Sequence, residues 1–95
     1  MIKHCVAWKV KDDKKENCEV IKKTLEALPK QISVVKNLEV GINVHETPRS
    51  YDIILLSQFD SLEDLETYRV HPAHQEAVKI IRERTEGVVA VDYEV

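Results

Sequence analysis

The chain has 95 residues, of which 43% are hydrophobic and 33% charged. That describes one soluble globular domain spanning residues 1–95 and leaves no room for a second. Its 14 Lys and Arg are dispersed among 17 acids for a net charge of −3 at pH 7, which speaks against a nucleic-acid surface. No apolar run approaches the ~20 residues a membrane span requires, and none near the N-terminus reads as a secretory segment. Cys5 and Cys18 have no metal-ligand spacing and fit reduced thiols. A cytoplasmic protein with no nucleic-acid or membrane partner is therefore expected.

The first strand is marked by Ile2, His4, Val6, Trp8 and Val10 alternating with Lys3, Cys5, Ala7, Lys9 and Lys11, the period-2 pattern of a half-buried strand. The charged stretch 11–15 turns the chain into a helix. Cys18, Ile21, Leu25 and Leu28 then recur at three- and four-residue steps, one apolar stripe on a helix of about four turns. Pro29 is expected to close it.

A second strand is expected over 34–45, with Leu38, Val40, Ile42 and Val44 on one side. The loop 46–50 carries turn chemistry, and 51–59 form the most hydrophobic strand. Ser61, with Asp64 three residues on, reads as a helix cap before a stripe of Leu62, Leu65 and Tyr68. Pro72 breaks that helix and suits the first turn of another. The last helix is expected to reach about Glu86, with Gly87 as its cap. Val88–Val95 form the closing strand. The order β, α, β, β, broken α, β predicts an α+β chain with a ferredoxin-like split βαβ layout and a four-stranded antiparallel sheet.

Helices cover only one face of such a sheet. The third strand nonetheless points Ile53 and Leu55 one way and Ile54 and Leu56 the other. An antiparallel sheet open to water shows polar residues on its outer face. A second copy of the chain, packed on that face as a homodimer, is the simplest partner.

Chemistry concentrates in Tyr68-Arg69-Val70-His71-Pro72-Ala73-His74, where two imidazoles flank a helix-starting proline beside a phenol. Imidazole exchanges protons near neutrality. Ala77, Val78 and Ile81 share the side of the last helix that His74 occupies, which turns His74 toward the sheet. His4 shares its face with Ile2, Val6 and Trp8. It is either a core histidine bonded to a carbonyl or the polar spot of a pocket. Tyr68 is either a core tyrosine or a hydrogen-bond donor to a ligand. His71 precedes proline and reads as a structural cap, and His45 as a solvent-exposed residue. His71 and His74 are three apart, but Pro72 sets His71 at the junction and no third ligand stands at a metal spacing. With only Gly41 and Gly87, there is no glycine-rich phosphate loop, so neither metal nor organic cofactor is expected.

Taken together, the Ile2–Lys11 strand, Tyr51-Asp52-Ile53, Phe59-Asp60-Ser61 and above all Tyr68-x-x-His71-Pro72-x-His74 resemble the stress-responsive A/B barrel (Dabb) domain family. The resemblance spans essentially the whole chain. It implies a dimeric α/β barrel in which two ferredoxin-like subunits pack sheet against sheet. The family includes heat-stable plant proteins, bacterial members without assigned activity and a plant polyketide cyclase. By that likeness the cyclase's catalytic Tyr and second His fall on Tyr68 and His74, and its strand-one His on His4. The implied activity is cofactor-independent, lyase-like aldol closure, with His74 as base and Tyr68 as hydrogen-bond donor. The first helix departs from the cyclase, offering Cys18, Ile21, Leu25 and Leu28 where the cyclase has pocket-shaping aromatics. Three functions follow: transformation of a small organic molecule, binding of one without reaction, or a structural, stress-related dimer with no ligand pocket.

Overall fold

The computed structural model describes every residue, Met1–Val95. Its elements run β1 (Ile2–Val10), α1 (Lys14–Glu26), α2 (Leu28–Gln31), β2 (Asn37–Ile42), β3 (Ile53–Phe59), α3 (Leu62–Val70), α4 (Pro72–Arg82) and β4 (Thr85–Glu94). The strands form one sheet in the order β2-β3-β1-β4, and every neighbouring pair is antiparallel. This is the ferredoxin-like α+β arrangement that the element order predicts.

The alternation along β1 decides which side the helices cover. Ile2, Val6 and Val10 are buried with Ile53, Leu55 and Phe59 of β3 and Val40 of β2. Against this face pack Cys18, Ile21 and Leu25 of α1, Leu28 of α2, Tyr68 of α3, and Ala77 and Ile81 of α4, forming one core. The stripe expected on the first helix is thus wholly buried, although its last member lies on a separate turn. Pro29 does not close α1. It stands in the first turn of α2, where its missing N–H costs nothing.

Asp52 fastens the end of β1 to the start of β3. It is a buried carboxylate that accepts the Val10 N–H at 2.8 Å, with Lys14 Nζ 3.5 Å away.

Three other expectations are corrected. β2 is shorter than 34–45, and Val44 lies beyond it, 99% exposed. Leu62 is 66% exposed, so the α3 stripe is narrower than its spacing suggests. Gly87 caps no helix: α4 stops at Arg82, and Gly87 lies within β4 opposite Lys9. There the pairing of β4 with β1, which reaches back to Thr85 opposite Val10, outweighs the local glycine signal.

The opposite face of the sheet carries no helix. Ile54, Leu56, Val89, Val91 and Tyr93 are all exposed there, around Cys5 and Ala7 in the centre.

Candidate functional site

Between the covered face of the sheet and helices α3 and α4 lies a cavity of about 290 Å³. His4, Tyr68 and His74 all line it, so the fold brings together the three residues singled out in the sequence. β1 supplies His4 and α3 supplies Tyr68. α4 supplies His74 from its first turn, directly after the Pro72 break.

The rings form a chain of tilted and edge-on contacts. Tyr68 lies 4.4 Å from His74 and 5.0 Å from Phe59, centroid to centroid. His4 lies 6.1 Å from Tyr68, edge on. A second recess of about 340 Å³ opens between α3 and β4 on the same three residues, and there Glu66, Arg69 and Asp92 make the lining polar.

Each polar group has a definite state. His74 Nδ1 is 2.9 Å from the Arg69 carbonyl oxygen. A carbonyl only accepts, so Nδ1 carries the proton and Nε2 keeps its lone pair. Burial holds the His74 pKa below the ordinary imidazole value, and the nearby charges of His4, Arg69 and His71 act in the same direction. The Arg69 carbonyl opposes this by stabilising the Nδ1 proton. His74 is thereby a neutral base near pH 7.

Tyr68 is 1% exposed, and its hydroxyl is buried without a hydrogen-bond partner. Burial pushes its pKa up to about 12, so it stays a protonated donor. An unpartnered buried hydroxyl costs stability and is a ready hydrogen-bond donor to a ligand.

His4 is positioned rather than free. Its Nδ1 pairs with the carboxylate of Asp92 on β4, directly across the strand register. Ser57 holds the backbone behind it by donating to the His4 carbonyl at 3.2 Å. The carboxylate accepts, so Nδ1–H donates and Nε2 is left unbonded. Asp92 was not among the residues picked out in the sequence. Its one signal is an acid directly after the apolar run Val88–Val91, in a residue type depleted from strands.

His71 is confirmed as a cap, its Nδ1 accepting the Ala73 N–H at 3.0 Å at the start of α4. His71 and His74 therefore bond in different directions, and no three metal-ligating side chains converge anywhere. His45 is exposed on the loop before β3.

A family profile described as the stress responsive A/B barrel domain, Dabb, matches residues 2–95. The chain belongs to the Dabb family. An uncharacterised protein of Streptomyces coelicolor is 34% identical over 97 residues, covering 99% of each chain. A crystal structure from Bacteroides fragilis, described as a dimeric protein of ferredoxin-like fold, is 39% identical with a TM-score of 0.88. It covers 99% of this chain and 95% of its own. A hydroxynitrile lyase of Passiflora edulis superposes with a TM-score of 0.85 over 97% of this chain and 90% of its own. At 18% identity that likeness carries the Dabb fold alone. No helix of this Dabb protein is long and apolar enough to cross a membrane.

Proposed function

We propose that this protein binds a small carbonyl compound in the cavity and removes a proton alpha to the carbonyl, working as a homodimer. The observation that carries the reading is Tyr68, which lines the cavity together with a neutral histidine and whose hydroxyl is buried without a partner. In this scheme His74 Nε2 takes the acidic proton while Tyr68 donates a hydrogen bond to the oxygen on which charge develops. His4, fixed by Asp92, keeps its Nε2 lone pair and accepts a hydrogen bond from the O–H of the ligand's enol form. Where a second carbonyl lies within reach, the enolate carbon adds to it, that C=O π bond opens to an alkoxide, and the alkoxide takes back the proton held on His74 Nε2. His74, Tyr68 and His4 are the catalytic residues of this proposal, with no metal or cofactor required.

The cavity favours this reading over a purely structural dimer, and its volume lies at the small end of ligand sites. The test is solvent-deuterium exchange at the alpha carbon of a β-dicarbonyl probe, followed by NMR. The wild type should accelerate exchange over buffer. His74→Gln should lose that acceleration by about 10²-fold or more, with circular dichroism and chemical-shift dispersion unchanged. Equal exchange by the two proteins would refute the assignment.

The homodimer is supported by the bare apolar face and by the dimeric relative. Packing two copies through it buries Ile54, Leu56 and Val91 as a self-complementary patch. The helices and the cavity mouth then remain on the outside.

A further inference from the structure

The cavity is apolar in its middle and polar at both ends. His74, Ala77, Ile81 and Arg82 all line it from α4. At 1.5 Å per residue, eight residues place Arg82 about 12 Å along the helix from His74. β1 gives the same length: His4 and Trp8 both line the cavity, four residues and about 13 Å apart on a strand. Trp8 stands opposite Val88 in the register, beside the end of the cavity where Arg82 lies. The imidazoles and the phenol thus occupy one end, and Arg82 the other.

Arg82 is the one permanently charged side chain in the lining, and no carboxylate lines the cavity. It makes no ion pair. Its neighbours are matched otherwise: Lys79 with Glu76 and Arg84 with Glu83. Thr85, also at that end, spends its hydroxyl on the Ile81 carbonyl. A cation near a helix C-terminus is favoured by the macrodipole, which accounts for a basic residue in that turn. It does not account for one on the lining face with no acid opposite. Arg82 is an exposed residue, so its guanidinium is free to meet the two oxygens of a carboxylate at that end of the cavity.

We propose that the ligand is an elongated keto acid. Its carbonyl meets Tyr68 and His74, its apolar body fills the cavity, and its distant carboxylate is seated by Arg82. This rests on the carbonyl-binding reading above and adds a specificity residue that the acid-base chemistry does not use.

Calorimetric titration separates the two readings. The probes are straight-chain methyl ketones and the matching keto acids, whose carboxylate sits at the far end of the same chain. Both series are run over increasing numbers of methylenes. The wild type should bind keto acids of one optimal length about five- to tenfold more tightly than the matched ketones. Arg82→Gln should erase that preference, bringing each keto acid and its matched ketone to equal affinity. Lys79→Gln, which removes the same charge outside the cavity, should preserve it. A wild type that binds ketones and keto acids equally overturns the inference and leaves the carbonyl site standing. So does a preference lost equally in Lys79→Gln, since long-range charge would then explain it. Failure of every ketone and keto acid to bind overturns both readings.

Discussion

At the scale of single residues, Tyr68 and His74 both carry a cost of burial. A phenol hydroxyl buried without a partner is a cost of about 1–3 kcal/mol, and Tyr68→Phe removes it without leaving a void. The variant should therefore be as stable as the wild type or more stable by about 1 kcal/mol in urea unfolding, while losing carbonyl binding. A clear destabilisation would show that the hydroxyl already has a structural partner. His74 makes a pH-dependent contribution of known sign. Its folded-state pKa lies below the ordinary value, near 6.5 in the unfolded chain. Between the two values the unfolded chain holds the proton and the folded chain does not, so stability rises with pH across that window. The contribution is fully present above the unfolded value and is lost as pH falls through the folded one. Urea midpoints measured from pH 5 to 7.5 should show this slope in the wild type, and His74→Gln should flatten it. The acid limb of alpha-proton exchange should likewise fall below the ordinary imidazole value, because it reports the same group.

At the scale of elements, the break between α3 and α4 is what places the site. His71 ends α3, caps α4 and precedes Pro72, so the chain turns just where His74 must face the sheet. His71→Ala should cost about 1 kcal/mol as a lost cap, with proton exchange preserved once folding is corrected for. A loss of exchange as deep as that of His74→Gln would instead give His71 a direct role. Much of this was legible in the sequence because the signals are local. Proline marks the start of α4, Ser61 caps α3 by accepting the Asp64 N–H at 3.1 Å, and apolar periodicity marks the buried stripes. What was not legible depended on pairing at long range. Gly87 looks like a helix cap until β4 pairs with β1 from Thr85 onward. Asp92 gains its meaning only when the register sets it across from His4, 88 residues earlier in the chain. Arg82 acquires its place only when α4 and the sheet enclose a cavity.

At the scale of the whole molecule, the sheet has two apolar faces and only one is covered by the chain's own helices. Five exposed apolar side chains on β3 and β4 surround the small residues Cys5 and Ala7 of β1. A contiguous exposed apolar patch of this kind marks an interaction surface. Small residues at its centre let a second sheet approach closely. Leu56 pairs with Cys5 in the register and is 39% exposed on this face. Its contribution to the monomer core is slight, so Leu56→Lys should leave the subunit folded. In a dimer, however, it buries one charge from each subunit in an apolar interface, where desolvation without a partner is costly. Sedimentation velocity should find the wild type at twice the subunit mass and Leu56→Lys at one subunit mass, both with native circular dichroism. The cavity lies on the other face, between the sheet and the subunit's own helices, so the monomeric variant should still bind the carbonyl probe. Loss of binding on dissociation would mean that the partner shapes the pocket, whereas retention would separate what the sheet interface does from what the cavity does.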